Sequence, residues 1–273
     1  MASDPAAWRP DQYQRFSAER SWPFYDLVAL LRRVDGARIV DLGCGTGALT
    51  QQLHMRMEAA DTLGIDHSPA MLDQARPLAR EGLHFELGDI NEFAGRDYNT
   101  ADYDIVFSNA ALQWVPDHPT VLRKWTAALA PSGQLAVQVP ANADHPAHVL
   151  AGVVASEAPF VDAFGGRPPP DPVLSVLKPE DYAVLLEQLG FEEQHVRLQV
   201  FGHRLASTAE VVEWVKGTSL TRFQKGMGPE LYNRFVERYR DRLLAQLGDQ
   251  EPFFYPFKRI LFWGRRPATR RPR

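Results

Sequence analysis

One short stretch constrains the fold more than any other part of the chain. Residues 39–50, IVDLGCGTGALT, contain an apolar run, an acidic residue, three glycines at alternate positions and a helix-compatible segment. This order indicates a buried strand followed by a tight turn, because backbone that closely approaches a ligand cannot carry side chains. Gly43, Gly45 and Ala48 also satisfy the relaxed dinucleotide fingerprint. The stretch therefore predicts a strand–turn–helix unit that binds a nucleotide-like cofactor.

The segments on either side of this loop alternate between strand and helix patterns. Strands are predicted at 38–42, 62–66, 83–87, 103–108 and 134–139, with helices up to about residue 57, at 69–79 and at 119–130. Alternation of this kind predicts parallel strands, right-handed crossovers and helices on both sheet faces. We expect an α/β fold with a doubly wound, mostly parallel, seven-stranded sheet. Ligands of such sheets bind beyond the carboxyl ends of the strands, where Asp41, Asp66, Asp89 and Asn109 lie.

Helical patterns surround this core. A helix is predicted at 21–34, another at 179–189 with Gly190 as its stop, and two or three in 207–248, where Ser207 or Thr208 is the expected N-cap. Further strands are predicted at 195–201 and 253–263. We therefore divide the chain into a helical leader (1–34), a cofactor-binding core (35–206 and 249–266), a helical cap over the cleft (207–248) and a basic tail (267–273).

Charge and cysteine content exclude several classes of function. The net charge of −4 argues against general nucleic-acid binding, which requires a strongly basic face. No signal peptide or run of about 18 apolar residues is present, so we expect a cytoplasmic protein that does not enter a membrane. Cys44, the single cysteine, is expected to pack beside a cofactor. His145 and His148 lack further ligands nearby in sequence, so no metal is predicted.

Four motifs resemble those of the class I methyltransferases that use S-adenosylmethionine. They lie at residues 41–47 (DLGCGTG), 64–72 (GIDHSPAML), 88–90 (GDI) and 104–114. The chain is also similar, over nearly its whole length, to the narrower family of trans-aconitate 2-methyltransferases. That likeness rests on Trp8, Pro10, Tyr13, Phe16 and residues 18–20 (AER), on residues 108–114 (SNAALQW) with Asp117 and His118, on Trp214 and Val215, and on residues 255–259 (YPFKR).

The resemblance implies S-adenosylmethionine as the methyl donor, with S-adenosylhomocysteine as the product. It places Asp66 at the ribose hydroxyls, the glycine loop beneath the sugar and amino-acid end, Asp89 and Ile90 at adenine, and Asn109 near the methionine end. The full set of implied cofactor residues is Asp41, Gly43, Cys44, Gly45, Gly47, Asp66, His67, Met71, Asp89, Ile90, Asn109, Ala110 and Trp114.

The resemblance further implies a small di- or tricarboxylic acid such as trans-aconitate as the acceptor, which becomes a methyl ester. Arginine suits such an acceptor because its planar fork binds a carboxylate bidentately. The candidate acceptor-binding residues are Tyr13, Arg15, Arg20, Gln113, Trp114, Arg222, Tyr255, Lys258 and Arg259. No catalytic side chain is assigned, because an ionised carboxylate needs no general base.

Two other functions remain open from the sequence. A methyltransferase of the same fold acting on a hydroxyl or amine would need a base, for which His118 or His145 is a candidate. A module that binds the cofactor without catalysis is the second. The oligomeric state is open, with a monomer plausible.

Overall fold

A seven-stranded sheet organises the chain in the computed structural model, which describes residues 17–93 and 103–268, with side chains from residue 21 onward. The strands are β1 (Arg38–Leu42), β2 (Asp61–Asp66), β3 (Leu83–Leu87), β4 (Tyr103–Asn109), β5 (Leu129–Pro140), β6 (Glu193–Leu205) and β7 (Phe253–Arg265). The helices are α1 (Ser17–Val28), α2 (Ala48–Met57), α3 (Pro69–Ala75), α4 (His118–Ala127), α5 (Pro146–Ala155), α6 (Pro179–Gln188), α7 (Glu210–Lys216) and α8 (Thr221–Leu247).

The strand order is β3-β2-β1-β4-β5-β7-β6. The pairs from β3 to β5 are parallel, whereas β7 runs antiparallel to β5. The expected α/β class and mostly parallel seven-stranded sheet are therefore confirmed. β1 lies between β2 and β4, with Asp41 paired to Gly64 on one side and to Phe107 on the other. This pairing brings the carboxyl ends of three strands to one edge of the sheet.

The leader helix differs from its prediction. It was expected at 21–34, but α1 ends at Val28. The Leu30 and Leu31 N–H groups bond to the carbonyls three residues back, and beyond them the side-chain oxygen of Gln134 in β5 accepts from the Arg32 N–H at 2.8 Å. Its amide nitrogen donates to the Arg32 carbonyl, also at 2.8 Å. These bonds replace helical ones and hold the chain in a non-helical conformation before β1.

The predicted N-cap of α7 is also wrong. The helix begins after Ala209, which makes no side-chain cap hydrogen bond. The Thr208 hydroxyl instead accepts from the Gln250 N–H at 3.0 Å, and the Thr208 N–H donates to the Gln250 carbonyl at 3.0 Å. The hydroxyl is therefore used to join two segments far apart in sequence. The helices expected in 207–248 are present as α7 and α8, and α8 is interrupted at Gly228, just before Pro229.

The chain separates into two units. One contains residues 20–140 and 175–199 with the chain from 258 onward, and it holds most of the sheet. The other contains residues 141–174 and 200–257 with the start of α1. Its core is rich in aromatic side chains, among them the buried Trp214, Phe223, Phe235, Tyr239 and Tyr255. This unit includes the predicted cap, whose covering role stays a prediction.

Across residues 17–93 and 103–268, no helix combines the length and the apolar character that a membrane span requires.

Candidate active site

The glycine loop between β1 and α2 folds back against β2. The N–H groups of Gly43 and Cys44 both donate to the Ile65 carbonyl, at 2.8 and 3.0 Å. Gly43, Gly45 and Gly47 all have left-handed backbone, with φ of 87°, 55° and 75°. Glycine adopts this conformation without the strain that a Cβ imposes. The alternating glycines of the sequence are thus explained by a turn in which every second residue has a positive φ.

The three glycines differ in how much room the surrounding residues leave for a side chain. A Cβ on Gly43 would lie 2.1 Å from the Cβ of Ala111, and one on Gly47 would lie 2.8 Å from the Phe85 ring. A Cβ on Gly45 would have no described atom within 4 Å. Gly43 and Gly47 therefore allow close packing of the protein on itself, whereas Gly45 borders open space in which a ligand has room to approach the backbone.

Asp66, at the end of β2, fixes this loop. Its Oδ2 accepts from the Gly45 N–H and its Oδ1 from the Ser68 N–H, each at 2.9 Å. Ser68 caps α3 by accepting from the N–H of Met71, a buried residue. His67 is exposed, with its Nδ1 3.7 Å from Asp66 Oδ1. Each carboxylate oxygen of Asp66 has further lone-pair capacity for a ligand hydroxyl.

Asp41 and Cys44 lie buried beneath the loop. The Thr50 hydroxyl donates to Asp41 Oδ2 at 2.6 Å, while Oδ1 is buried without a hydrogen-bond partner among the described residues. Burial raises the pKa of Asp41 to about 7, against the lowering effect of Thr50, and the charge of Asp66 adds to the rise. Burial also raises the pKa of Cys44 far above its ordinary value. The thiol is therefore protonated at neutral pH, and its expected position beside a cofactor stays a prediction.

The third motif forms a turn after β3. Asp89 is exposed, and its Oδ1 accepts from the Asn91 N–H at 2.8 Å. Ile90 is buried, and its carbonyl accepts from the Trp125 indole N–H at 2.8 Å. The side chain of Asp89 thus stabilises its own turn, and its proposed contact with adenine remains a prediction.

The fourth motif follows β4 directly beside the glycine loop. The Ser108 hydroxyl donates to the Leu42 carbonyl at 2.7 Å, which ties β4 to β1. Ala110 has left-handed backbone with φ of 57°, and its carbonyl accepts from the Gln113 side-chain amide at 2.7 Å. Gln113 is buried, and Trp114 is 37% exposed. A residue other than glycine in this conformation marks strain that its surroundings enforce.

Of the implied cofactor residues, the structure brings together the glycine loop, Asp66 and Asn109. Gly45 contacts Asp66, Gly43 approaches Ala111, and Asn109 ends the strand next to β1. All belong to the larger sheet-containing unit. Their roles toward a cofactor stay predictions.

The candidate acceptor-binding residues are more scattered. Tyr13 and Arg15 lie outside the described residues, and Arg20 belongs to α1, but its side chain is not described. Lys258 is half-buried on β7. Arg259 is buried on the same strand, and its Nη1 donates to Gln138 Oε1 at 3.2 Å.

Arg222 and Tyr255 belong to the other unit. The Arg222 guanidinium lies 3.3 Å from Asp171 Oδ2, and the same oxygen lies 2.9 Å from His148 Nδ1. All three side chains are more than nine-tenths buried. Although burial raises it, the pKa of Asp171 is lowered overall by His148 and Arg222. Tyr255 is fully buried in the aromatic core of its unit, edge-on to Trp214.

Two residues of interest were missed from the sequence. Gln138 and Asp171 contact Arg259 and Arg222, respectively. Neither belongs to a recognisable motif, because their contacts with these arginines join residues more than 50 positions apart in sequence. Across the described ranges, no group of three histidine, cysteine, aspartate or glutamate side chains is arranged to hold a metal ion.

Comparison with known proteins identifies the fold as that of a methyltransferase. Residues 33–159 match the family model described as a methyltransferase domain. The YcgJ protein of Bacillus subtilis superposes with a TM-score of 0.58 at 12% identity, over 90% of this chain and 98% of that one. At this identity the likeness concerns the fold alone. The sheet order, the glycine loop and the acid at the end of β2 are those of a class I methyltransferase.

Two relatives narrow this class. A trans-aconitate 2-methyltransferase of Deinococcus radiodurans is 40% identical, over 95% of this chain and 98% of its own length. One of Variovorax paradoxus is 38% identical, over 86% and 88%. The chain belongs to the trans-aconitate 2-methyltransferase family.

Proposed function

We propose that the protein is an S-adenosylmethionine-dependent O-methyltransferase that forms a methyl ester on a carboxylate of a small di- or tricarboxylic acid such as trans-aconitate. The observation that carries the proposal is the open space over Gly45, bordered by Asp66 and set in a chain closely related to trans-aconitate 2-methyltransferases. S-adenosylmethionine supplies an electrophilic methyl group on a sulfonium centre.

The residues around the loop suit this methyl donor. Asp66 retains acceptor capacity for ribose hydroxyls, as acids in this position do in dinucleotide-binding folds. Asp41 Oδ1 and Asn109 Oδ1 are buried oxygens without partners among the described residues. Oxygens of this kind are costly to bury unless a donor or a positive charge reaches them. A ligand that carries hydroxyls, an ammonium group and a sulfonium provides such partners.

A carboxylate acceptor fits a site without a general base. Carboxylic acids ionise near pH 4, so the nucleophilic oxygen is already unprotonated at neutral pH. The residues of the site then have to bind, orient and desolvate the acceptor rather than remove a proton from it. Arg259 is suited to the binding step because it is a buried cation near the carboxyl end of β5, where Pro140 pairs with it.

His118 and His145, the candidate bases for a hydroxyl or amine acceptor, both make structural contacts. His118 is buried, with its Nδ1 2.6 Å from the Tyr182 hydroxyl, and burial lowers its pKa. His145 caps α5 by accepting from the Ala147 N–H at 3.1 Å. These contacts favour the carboxylate acceptor over one that requires deprotonation.

The proposal is tested by incubating the purified protein with S-adenosylmethionine and a panel of acids, phenols and amines. We expect methyl esters of di- or tricarboxylic acids to accumulate together with S-adenosylhomocysteine. Turnover confined to phenols or amines contradicts the proposal.

A further inference from the structure

Gln138 of β5 and Arg259 of β7 form a buried polar pair. Their relative exposures are 0% and 5%, and Arg259 Nη1 donates to Gln138 Oε1 at 3.2 Å. A guanidinium has donors only, so the Gln138 amide has to present its oxygen to Arg259. This choice leaves Gln138 Nε2 as a buried donor, for which the described residues provide no acceptor.

The position of the pair is fixed by strand register. Asn109 of β4 pairs with Gln138, and Arg259 pairs with Pro140, two residues further along β5. Paired residues, and residues two apart on one strand, share a face of the sheet. Asn109, Gln138 and Arg259 therefore lie on one face at the carboxyl end of the sheet. Because Asn109 ends β4 beside the glycine loop, this face adjoins the proposed methyl-transfer site.

The leader helix covers the same face. Phe24 of α1 packs edge-on against Phe107, with ring centroids 5.7 Å apart, and Phe107 lies two residues before Asn109 on β4. A ligand between this face and α1 is shielded from water, which strengthens its hydrogen bonds to charged groups.

We propose that Gln138 and Arg259 form a subsite for one carboxylate of the acceptor, and that this carboxylate is not the one that is methylated. A carboxylate has acceptors only, so it matches an amide N–H and a guanidinium that are both buried. Hydrogen bonds from Gln138 and Arg259 withdraw negative charge from the carboxylate that they hold and fix its orientation, so a second carboxylate outside the subsite is the better nucleophile. The subsite therefore selects acceptors with at least two carboxylates. This inference rests on the proposed function and adds Gln138 as a specificity-determining residue.

The test compares the wild type with Gln138→Met, which keeps the side-chain length but removes the amide. Loss of a hydrogen bond to a charged group corresponds to a factor of about 10 to 100 in binding. We expect KM for trans-aconitate to rise by about this factor, while the Kd of S-adenosylhomocysteine stays unchanged. We also expect the preference for fumarate over crotonate, in which a methyl group replaces one carboxylate, to fall about tenfold or more.

Gln134→Met provides a matched control on the same strand and face. Both amide atoms of Gln134 are used within the protein, by the Arg32 backbone and by the Trp263 indole at 3.0 Å. This variant should lower the melting temperature and leave KM for trans-aconitate and the fumarate preference unchanged. A specific effect of Gln138 on the acceptor is thereby separated from general loss of stability.

Gln138→Glu serves where the methionine variant does not fold. It keeps an oxygen for Arg259 but adds a negative charge, so trans-aconitate turnover should fall further than in Gln138→Met. Unchanged KM and preference in both folded variants overturn the subsite and leave the proposed function intact. Failure of the wild type to methylate any di- or tricarboxylic acid overturns the proposed function and the subsite together.

Discussion

Asp66 Oδ2 accepts a hydrogen bond from the Gly45 N–H at 2.9 Å, so the acid proposed for the ribose also holds the loop on which the cofactor is expected to lie. One carboxylate thus links two motifs that are 21 residues apart. Substitutions at Asp66 are expected to act on loop structure and cofactor binding together.

Asp66→Asn should separate these two effects better than Asp66→Ala. The amide keeps one oxygen acceptor, but its NH₂ faces a backbone N–H that has lost its partner. We expect S-adenosylhomocysteine affinity to fall about tenfold or more in Asp66→Asn, and binding to become undetectable in Asp66→Ala. Calorimetric titration measures both, and wild-type affinity in Asp66→Ala would show that the second motif is misassigned.

Gly45→Ala should impair the cofactor site while leaving the fold in place. The added methyl group meets no described atom within 4 Å, so its cost to stability is the left-handed backbone alone, about 1–2 kcal/mol. The same methyl occupies the space proposed for the ligand. We expect weaker S-adenosylhomocysteine binding with only moderate loss of unfolding free energy in urea.

Gly43→Ala is the matched comparison. Its Cβ would lie 2.1 Å from that of Ala111, so a steric clash adds to the backbone cost. We expect a loss of unfolding free energy at least about 1–3 kcal/mol greater than in Gly45→Ala, the cost typical of overpacking. Equal stability of the two variants would contradict the assignment of Gly43 to internal packing and Gly45 to the ligand.

The raised pKa of Asp41 leads us to expect that the stability of the protein depends on pH. Its pKa is about 7 in the folded protein, above the 3.8 of an ordinary aspartate. Between these values the folded state binds a proton that the unfolded state has lost, so this group makes stability fall as pH rises through the interval. Urea unfolding at a series of pH values should show that Asp41→Asn lacks this fall, and parallel curves for the two proteins would refute the assignment.

Asp171 is expected to be essential for the stability of its unit. Asp171→Ala leaves the buried Arg222 charge unpaired, which costs about 3–5 kcal/mol. The double variant Asp171→Ala, Arg222→Met removes both charges and should recover most of that loss. Thermal unfolding measures both variants. If Asp171→Ala leaves stability unchanged and raises only KM, the prediction is wrong, and the main role of Arg222 is to bind the acceptor.

Much of the fold could be predicted because its signals are local. The strand at 38–42, the glycine turn after it and the helix stop at Gly190 follow from hydrophobic runs and from glycine conformations that few other residues adopt. The edge of the sheet where Asp41, Asp66 and Asn109 meet follows from parallel alternation alone.

The remaining features depend on contacts between distant residues. Gln134 bonds to the segment after the leader helix from 102 positions away, and Thr208 bonds to Gln250 rather than capping its own helix. Gln138 carries no motif, and its significance depends on Arg259, 121 positions later. Register and packing decide such partners, and local sequence patterns do not encode them.

The proposed function is tested most directly by methyl transfer to trans-aconitate by the purified wild-type protein, with the product identified by mass spectrometry. We expect a monomethyl ester to form in equal amount with S-adenosylhomocysteine. A protein that binds S-adenosylhomocysteine but forms no ester on trans-aconitate or on any other di- or tricarboxylic acid would contradict the proposed function.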